Sequence, residues 1–440
     1  MENIKISAFL IAAPKSNSGK TLVSLALMKA LVNRGITVQP FKCGPDYIDP
    51  MYHTKIAGRP SYNLDSWMAS DAHVRSVFER KLPTPGVAVV EGVMGLFDGA
   101  QKDRGSSAEI ARLLNIPVIL VVDGASMAYS AAPLLFGFKN FDKNITVAGV
   151  IFNKVSGESH YRFLKEAADD AGVEPLGYLP HDERLTVKSR HLGLQLPHEN
   201  KQELFDTAAE LVEKYIDIDR LLQLTANTKK PEFRNPPLSE YKRTIALTHD
   251  EAFNFSYAAN VDALQQLGTV VRFSPVHDKT MPEADLLWLP GGYPELFARQ
   301  LAENATIRQS IREFIEKGKI VIAECGGMMY LGKEIIDEKG QCSEMCGVFN
   351  ISTSFKNKKL HLGYRQIQLD DVELKGHEFH YSSLVQHKSV PFWEEVKNAR
   401  GMPVVMPVFR YKNCWASYMH LYLGEDGKLE QFIEKIFYKK

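Results

Sequence analysis

One cysteine in this sequence has the surroundings of a nucleophile. Residues 320–323 are apolar and read as a short buried strand, and Glu324, Cys325 and two glycines follow before a helix-forming run. On such a strand-to-helix turn, small neighbours let a substrate approach, and the amides of the helix N-terminus lower the thiol pKa and hold an oxyanion. Cys325 is therefore the candidate nucleophile and Gly326 a candidate oxyanion donor, the alternative being a buried structural cysteine.

A second strand upstream also ends in a glycine pair. Residues 287–297 read LWLPGGYPELF, and the backbone N–H groups of Gly291 and Gly292 could be aimed at the same site. Gly292 is therefore a second candidate oxyanion donor. Together the two segments resemble the glutaminase domain of class I glutamine amidotransferases, in the variety found in cobyrinic acid a,c-diamide synthases. In that family the cysteine attacks the carboxamide of glutamine, forms a glutamyl thioester and releases ammonia.

This chemistry requires a base, and two histidines compete for the role. His420 ends an apolar strand near the C-terminus, where the family keeps the histidine that activates the cysteine. His380, in GHEFHYS, resembles the motif around the catalytic histidine of other class I amidotransferases. The order in the chain and the family pattern favour His420. Many class I relatives carry a glutamate two residues after that histidine, but here Tyr422 stands there, so the orienting group is not identified and a pseudo-glutaminase remains an alternative.

Two groups of residues in the C-terminal part of the chain could suggest a metal site. His377, Glu378 and His380 form one, but two histidines three apart without a third ligand are more often structural or substrate-facing. Cys342 and Cys346 are four apart, and no second cysteine pair follows with zinc-site spacing. We therefore expect no protein-bound metal at either place. Five cysteines in so long a chain form no disulfide framework, which indicates a reducing cytoplasm.

The chain opens with the elements of a phosphate-binding loop. An apolar run at residues 4–13 predicts a strand, PKSNSGKT follows at residues 14–21, and a helical pattern begins directly after it. In this context backbone amides cradle phosphates, the lysine reaches the terminal phosphates and the threonine hydroxyl binds magnesium. Pro14 replaces the first glycine of the usual motif. The candidate ATP-binding residues are Lys15, Ser18, Gly19, Lys20, Thr21 and Asn153, with Thr21 also a candidate magnesium ligand.

Two of these candidates rest on resemblance to the MinD and dethiobiotin synthetase superfamily. Lys15 stands where that superfamily often carries an extra lysine, the alternative being a solvated surface lysine. Asn153 ends the strand predicted at residues 147–153, near where superfamily members hold the adenine, the alternative being a strand-terminal turn.

Acidic residues follow two further predicted strands. The string FKCGPDYIDP at residues 41–50 places Asp46 in a loop that faces the nucleotide, where it is a candidate magnesium ligand. The alternative makes Asp46 and Asp49 turn-forming residues. This string resembles cobyrinic acid a,c-diamide synthases more closely than the matching segments of cobyric acid synthases or dethiobiotin synthetases.

The segment VAVVEGVMGLFD at residues 87–98 predicts the second of these strands. Glu91 ends it in the Walker B arrangement, in which an acid beside the P-loop holds magnesium. The family resemblance makes Glu91 the magnesium carboxylate and places Asp98 near the substrate carboxylate that is activated, as a catalytic residue. From its chemistry alone Asp98 is also a sound turn residue.

The order of these segments predicts an α/β protein of two domains. A chain of 440 residues is too long for one core. Apolar strands alternate with helical stretches in the first half, which predicts a parallel, doubly wound sheet. The resemblance implies that it is a P-loop domain like that of dethiobiotin synthetase and MinD. Periodicity then disappears in a proline-bearing stretch and restarts near residue 243. We predict an ATP-binding synthetase domain at 1–228, a linker at 229–242 and an α/β class I glutamine amidotransferase domain at 243–440.

The composition excludes some classes of partner. Apolar residues make up 45% and charged residues 24% of the chain, as in ordinary globular proteins. Basic and acidic residues are equal in number, so net charge indicates neither a nucleic-acid nor a membrane partner. No apolar run approaches a membrane span, and we expect a cytoplasmic protein. The oligomeric state is not predicted.

The resemblance covers essentially the whole chain and implies a function for both halves. It implies ATP- and glutamine-dependent amidation of the a and c carboxylates of cobyrinic acid, through an acyl phosphate and with magnesium. A closed passage between the domains would protect the ammonia. Hydrogenobyrinic acid and nickel sirohydrochlorin are alternative substrates, and Arg59 and Arg365 are candidate tetrapyrrole-binding residues. A regulatory ATPase of the MinD or ParA kind and a carboxylase like dethiobiotin synthetase are alternatives of other classes.

Overall fold

The computed structural model describes residues 6–185, 189–190, 193–194, 202–226, 243–369, 372–387 and 395–438. The chain forms two compact units, residues 1–235 and 236–440. The linker predicted at residues 229–242 lies outside the described residues. Within the described residues, no helix is both long enough and apolar enough to cross a bilayer.

The first unit is built on a seven-stranded parallel sheet. The strand order is β3-β2-β4-β1-β5-β6-β7, with β1 at the centre. Strands such as VAVVE at residues 87–91 are buried along their whole length, as expected for a parallel sheet covered on both faces. The strands are β1 (Ser7–Ala12), β2 (Val38–Cys43), β3 (Tyr62–Leu64), β4 (Val87–Glu91), β5 (Val118–Asp123), β6 (Val147–Val155) and β7 (Glu174–Pro180), followed by a short pair, β8 (Ser189–Arg190) and β9 (Gly193–Leu194).

Helices connect these strands, because parallel strands need long crossovers. The helices are α1 (Lys20–Asn33), α2 (Ile48–Ala57), α3 (Asp71–Lys81), α4 (Ser107–Leu114), α5 (Ala131–Phe141), α6 (Glu158–Asp170), α7 (Gln202–Tyr215) and α8 (Ile218–Leu224). In such a sheet, ligands bind beyond the carboxyl ends of the strands at the point where the strand order reverses. Here that point is the carboxyl end of β1, which lies between β4 and β5.

The second unit has a six-stranded sheet of order β11-β10-β12-β13-β23-β22. Its strand pairs are parallel except for β22 with β23. Two further sheets have the orders β15-β14-β16-β19 and β21-β20-β17-β18-β24. The strands of the six-stranded sheet are β10 (Arg243–Thr248), β11 (Gly268–Phe273), β12 (Leu286–Leu289), β13 (Ile320–Glu324), β22 (Val408–Tyr411) and β23 (Cys414–Ser417).

The two smaller sheets comprise β14 (Glu334–Ile336), β15 (Cys342–Glu344), β16 (Ile351–Ser354), β17 (His361–Leu369), β18 (Val372–His380), β19 (Ser383–His387), β20 (Val396–Asn398), β21 (Pro403–Val404) and β24 (Met419–Leu421). The helices of this unit are α9 (Ala258–Leu267), α10 (Ala298–Glu303), α11 (Ala305–Glu316), α12 (Gly326–Leu331) and α13 (Lys428–Ile433). The predicted α/β fold class is therefore confirmed for both units. The sequence analysis did not anticipate the two smaller sheets.

Candidate functional site

A cavity of about 630 Å³ lies at the carboxyl ends of β2, β4 and β6 in the first unit. Its lining includes Gly19, which ends the loop after β1, Lys20 and Thr21, which begin α1, and Asp46 and Asp49 from the segment after β2. This volume lies within the usual range of small-molecule sites, about 300–1,000 Å³. The cavity therefore combines a helix N-terminus, ammonium groups and carboxylates in one ligand-sized space.

The loop between β1 and α1 is held by a side chain from β6. Gly19 has a left-handed backbone with φ +87°, and a Cβ at this position would lie 1.9 Å from Asn153 Nδ2. The same amide group donates a hydrogen bond of 3.0 Å to the carbonyl oxygen of Ser18. The structure thus brings three predicted ATP-binding residues together, and the contact of Asn153 is with the loop itself.

The two lysines predicted to bind phosphate differ in their surroundings. Lys20 lines the cavity, and its Nζ donates a hydrogen bond of 2.7 Å to the Met94 carbonyl oxygen. Burial, and then the charge of Lys42, lower the pKa of Lys20. Lys15 is exposed and is not among the residues that line this cavity. Its carbonyl oxygen accepts a hydrogen bond of 2.9 Å from Ser18 Oγ.

A buried cluster of charges lies beneath the cavity, centred on Glu91. Its Oε1 accepts hydrogen bonds from Thr21 Oγ1 at 2.6 Å and from Lys42 Nζ at 3.0 Å, and its Oε2 lies 2.7 Å from His53 Nε2. Lys42 also donates to Asp49 Oδ2 over 2.6 Å. Thr21 and Glu91, both predicted magnesium ligands, are therefore in direct contact.

Lys42 is a functional candidate that the sequence analysis missed. Burial lowers the pKa of Lys42, but the carboxylates of Asp49 and Glu91 more than offset that effect and leave it well above its ordinary value. Reciprocally, burial alone would raise the pKa of Glu91, yet Lys42 and a hydrogen bond from His53 leave it depressed. The signal in the sequence was a lone lysine inside an apolar parallel strand, since a buried cation requires carboxylate partners.

Two predicted acidic site residues serve as turn residues in the structure. Asp46 Oδ1 accepts the backbone N–H groups of Ile48 at 2.8 Å and Asp49 at 3.3 Å, at the start of α2, while its side chain also lines the cavity. Asp98 is exposed, and its Oδ2 accepts the N–H of Gly95 at 2.9 Å. Asp98 is not part of the cavity lining, so the turn role is the one that the structure describes for it.

The oxygen-rich side of this cavity fits a magnesium ion. Asp46, Asp49 and Glu91 crowd three carboxylates near the Thr21 hydroxyl. Asp46 and Glu91 both act on the charge of Asp49, so the three carboxylates lie close together. Magnesium prefers such oxygen ligands. Thr21, Glu91 and Asp46 would hold it.

In the second unit, Cys325 occupies a strained turn between β13 and α12. Its backbone has φ +43° and ψ −99°, which is rare for a residue with a side chain. The Cys325 N–H donates a hydrogen bond of 2.7 Å to the Ser417 carbonyl oxygen at the end of β23, which fixes this conformation. Its Sγ lies 4.0 Å from the Phe379 carbonyl oxygen. The predicted strand-to-helix turn is therefore present.

The electrostatic state of the Cys325 thiol differs from the sequence-based expectation. A thiol pKa lowered by the helix N-terminus was predicted, and this is wrong for the free protein. Burial, followed by the negative charges of Glu295 and Glu378, raises the pKa of the Cys325 thiol well above its ordinary value. The hydrogen bond from the Gly326 N–H acts in the expected direction but is outweighed. The resting thiol is therefore protonated.

His420 lies on β24, fully buried, opposite His377 of β18. Its imidazole packs so closely on Gly291 that a Cβ there would lie 2.2 Å from His420 Cε1. Burial, and then His377 and His380, lower the pKa of His420 to about 3. The imidazole is therefore neutral at physiological pH, and its burial makes it a weaker base than an exposed histidine.

Two hydrogen bonds connect the cysteine turn to both sides of His420. The Cys325 N–H binds the carbonyl oxygen of Ser417, three residues before His420, and Glu324 Oε1 accepts the N–H of Leu421, one residue after it, over 2.9 Å. These contacts place the two predicted catalytic side chains in one region of the second unit. They depend on the backbone of Cys325, on the side chain of Glu324, and on the last residues of β23 and β24.

The predicted oxyanion glycines are adjacent. A Cβ on Gly326 would lie 3.1 Å from the backbone nitrogen of Gly292 and 2.9 Å from Pro294 Cδ. A Cβ on Gly292 would in turn lie 2.0 Å from the Ala252 carbonyl oxygen. Both positions therefore require glycine for close approach, and both bring backbone N–H groups to the edge of the cysteine turn.

Glu324 is a second residue that the sequence analysis missed. It is buried directly before the nucleophile, and burial raises its pKa to about 8 although the Leu421 N–H opposes this. Tyr422, which stands where many class I relatives have a glutamate, is buried, and its ring lies 5.4 Å from the ring of Tyr257. Glu324 therefore places a carboxyl group beside β24, the strand that carries His420, and it does so from β13.

His380, the competing base, is engaged elsewhere. Its Nδ1 lies 3.0 Å from the Ser382 carbonyl oxygen, its Nε2 lies 2.9 Å from Glu378 Oε1, and its ring stacks on Tyr418 with centroids 3.6 Å apart. Both ring nitrogens therefore face other oxygens. This geometry agrees with the choice of His420 over His380.

The candidate tetrapyrrole-binding arginines both have partners within their own units. Arg365 Nε donates to Glu378 Oε2 over 2.7 Å, and its Nη2 lies 2.6 Å from the same oxygen. Arg59 Nε donates to Gln39 Oε1 over 3.0 Å. Neither contact points to a tetrapyrrole.

Models of two known families match this chain. Residues 9–194 match the CobQ/CobB/MinD/ParA nucleotide binding domain, and residues 244–428 match the CobB/CobQ-like glutamine amidotransferase domain. The first match covers the cavity and the second covers the cysteine turn with His420.

Several curated proteins are similar over nearly their full length. A cobyrinate a,c-diamide synthase of Caldanaerobacter subterraneus subsp. tengcongensis is 40% identical, with 97% of this chain and 98% of that protein aligned. A cobyrinate a,c-diamide synthase of Picrophilus torridus is 38% identical, with 99% and 100% aligned. A hydrogenobyrinate a,c-diamide synthase of Brucella anthropi is 39% identical, with 96% and 100% aligned.

Proposed function

Because this chain belongs to the family of cobyrinate and hydrogenobyrinate a,c-diamide synthases, we propose that it uses ATP and glutamine to amidate the a and c carboxylates of cobyrinic acid. This reaction belongs to cobalamin biosynthesis. The observation that carries the proposal is the presence, in one chain, of a carboxylate-lined nucleotide cavity and a cysteine held at φ +43° beside the region of His420. A regulatory ATPase of the MinD or ParA kind would have no use for the second site.

The first unit activates a substrate carboxylate. A carboxylate oxygen attacks the γ-phosphorus of ATP, the bond to the β-γ bridging oxygen breaks, and an acyl phosphate and ADP result. Lys20 and the amides of the loop at residues 15–21 stabilise the negative charge that moves onto the phosphates. Magnesium, when bound, would neutralise phosphate charge. Glu91 and Lys42 hold the base of this cavity in a fixed, charge-paired arrangement.

The second unit supplies ammonia. The neutral imidazole of His420 accepts the thiol proton of Cys325, and the thiolate attacks the carboxamide carbon of glutamine. The N–H groups of Gly292 and Gly326 donate to the oxyanion that forms. The imidazolium returns the proton to the amide nitrogen as the C–N bond breaks, which leaves a glutamyl thioester and ammonia. Water then hydrolyses the thioester to glutamate and the free thiol. Ammonia displaces phosphate from the acyl phosphate, which leaves the amide.

A second substrate candidate is hydrogenobyrinic acid. The relative from Brucella anthropi is named for it and is 39% identical to this chain, against 40% and 38% for two relatives named for cobyrinate. Similarity of this degree does not rank the two. Cobyrinic acid is our first choice, and any central metal then belongs to the substrate.

The proposal includes a cytoplasmic location, which is supported by the five cysteines all being free thiols.

The proposed amidation is tested by measuring the mass of the product. The purified chain is incubated with ATP, magnesium, glutamine and either cobyrinic acid, hydrogenobyrinic acid or nickel sirohydrochlorin. Two successive carboxylate-to-amide changes on cobyrinic acid are expected. Two changes on another tetrapyrrole alone would transfer the activity to that substrate. ATP hydrolysis without any amidation would refute the proposal and favour the regulatory ATPase.

A further inference from the structure

Three metal-binding side chains meet on one face of the hairpin formed by β17 and β18. His361 lies directly opposite His380 in the antiparallel register, and Glu378 precedes His380 by two residues, so all three project from the same face. One ligand atom from each lies within 4.8 Å of the others. The two histidines that are three apart in the sequence, His377 and His380, project from opposite faces of β18. Spacing along the chain therefore gives no third ligand beside Glu378 and His380. Strand pairing supplies His361 as that third group.

The contacts of His380 direct one ring nitrogen at Glu378. Nδ1 lies 3.0 Å from the Ser382 carbonyl oxygen and 3.3 Å from Ser382 Oγ, and Nε2 lies 2.9 Å from Glu378 Oε1. An imidazole nitrogen and a carboxylate oxygen are both ligands that divalent transition metals accept. An ion at this position would replace the hydrogen bond between His380 and Glu378.

The surroundings hold these ligands in fixed orientations. The Arg365 guanidinium binds Glu378 Oε2 and leaves Oε1 directed at His380. The His380 ring is packed between Tyr418, at a centroid distance of 3.6 Å, and His361, at 4.8 Å. A ligand histidine whose second nitrogen donates to a carbonyl, and a ligand carboxylate with its own hydrogen bonds, are the usual supports of a metal site.

Burial and exposure at the cluster suit an ion that enters from solvent. Glu378 and His380 are buried, whereas His361 is half-buried and lies at the end of β17. Imidazole and carboxylate ligands together favour Zn²⁺ and similar divalent transition metals over Mg²⁺ or Ca²⁺, which take oxygen ligands.

We propose that His361, Glu378 and His380 form a binding site for a divalent transition metal of the Zn²⁺ class, with a remaining position open to water. The site lies close to the glutaminase nucleophile, because the carbonyl oxygen of Phe379, the residue between two of the ligands, is 4.0 Å from Cys325 Sγ. It is distinct from the magnesium position of the first unit. The inference does not depend on the proposed amidation, since it concerns binding alone.

The test is metal binding to the full chain without nucleotide or substrate. Mg²⁺ is kept in large excess to fill the oxygen-ligand sites of the first unit, and Zn²⁺ is titrated by calorimetry. We expect one equivalent to bind, and His361→Gln and Glu378→Gln each to weaken it by about 10- to 100-fold. Co²⁺ should give the absorption of a nitrogen- and oxygen-ligated ion, without thiolate charge transfer.

His277→Gln is the matched control. His277 Nε2 lies 2.6 Å from Glu251 Oε1 in an exposed pair of the same residue types. This variant should bind Zn²⁺ like the wild type. Unfolding curves in chelator check that the three variants fold. The proposal would be overturned if the wild type bound no Zn²⁺, or if folded His361→Gln bound one equivalent of Zn²⁺ with the affinity of the wild type. Thiolate charge transfer with Co²⁺ would move the ion to a cysteine and would overturn it as well.

Discussion

The two candidate sites of this chain differ in the charge of their buried side chains. Beneath the nucleotide cavity, Lys42, Glu91 and Asp49 are buried together and compensate one another through hydrogen bonds of 2.6–3.0 Å. At the cysteine turn, Cys325 and His420 are also buried, but burial raises the pKa of the thiol and lowers the pKa of the imidazole to about 3. The first site therefore holds charges in advance, and the second holds two neutral groups.

This difference corresponds to the charge of the substrate that each site would receive. ATP and a carboxylate are anions, and a preformed set of charged groups stabilises charge movement without reorganisation. Glutamine's carboxamide is neutral, and a neutral thiol and imidazole need to separate charge only when it is bound. Four experiments test the contrast.

The largest effect is expected for Cys325→Ser. Glutamine-dependent amidation should fall by about 10⁴-fold or more, because the nucleophile is lost. Amidation with ammonium as nitrogen source should stay close to the wild-type rate, because the first unit is untouched. Product formation with each nitrogen source measures this. Cys342→Ser, at an exposed cysteine, is the control and should change neither rate. Equal loss with both nitrogen sources would mean that the two sites are not separate.

A smaller effect, on both nitrogen sources alike, is expected for Lys20→Met. Removal of one charged donor to a phosphate should slow amidation by about 10²- to 10³-fold. Lys15→Met tests the second lysine of the loop. Because Lys15 is exposed and does not line the cavity, its loss should cost less than about tenfold. A larger decrease in the amidation rate of Lys15→Met would support the predicted contact of Lys15 with phosphate.

The state of the resting thiol can be measured by alkylation. In a Cys342→Ser background, iodoacetamide should inactivate glutamine hydrolysis slowly at neutral pH. Because the pKa of Cys325 is raised above its ordinary value, the thiolate fraction and the rate should rise about tenfold per pH unit between about pH 7 and 8.5. A fast rate that is independent of pH in this window would show a preformed thiolate and remove the contrast between the sites.

The smallest effect concerns stability and Glu324→Gln. The folded pKa of Glu324 is about 8 against an ordinary 4.5, so the folded state binds the proton more tightly than the unfolded state between these values. Protonated Glu324 contributes to the free energy of unfolding of the wild type. That contribution is complete below about pH 4.5 and is lost as the pH rises to about 8. The amide variant keeps an acceptor for the Leu421 N–H and cannot ionise.

Urea unfolding at pH 5 and pH 8, followed by tryptophan fluorescence, measures this difference. The free energy of unfolding of Glu324→Gln relative to wild type should improve by at least about 1.4 kcal/mol between the two pH values, which corresponds to one pKa unit. Parallel pH dependence of the two proteins would show that Glu324 is ionised in the folded state and therefore solvated or paired.

Local motifs explain how much of this could be predicted from sequence. The P-loop and the cysteine turn each consist of a few consecutive residues. The positions of β1 and α1, and of β13 and α12, could therefore be predicted from the sequence. Thr21 and Glu91 meet because parallel strands end at one edge of a sheet, which strand order predicts in outline.

The parts that could not be predicted depend on register and burial across distant segments. His361 reaches His380 only through the pairing of β17 with β18, and spacing within one strand does not show it. The direction of the Cys325 pKa shift depends on how completely the thiol is enclosed, and local amides suggested the opposite sign. A carboxyl group was sought two residues after His420, because many class I relatives have a glutamate there. Tyr422 stands at that position, and the carboxyl of Glu324, from β13, binds the N–H of Leu421 instead.

The hydrogen bond between Glu324 and the Leu421 amide has a consequence for hydrogen exchange. An amide hydrogen held in a buried bond exchanges with solvent only when the bond opens. This hydrogen bond joins Glu324, the residue before Cys325, to β24, the strand that carries His420. The exchange rate of the Leu421 amide in deuterated water therefore reports how often these two segments separate in an enzyme at rest.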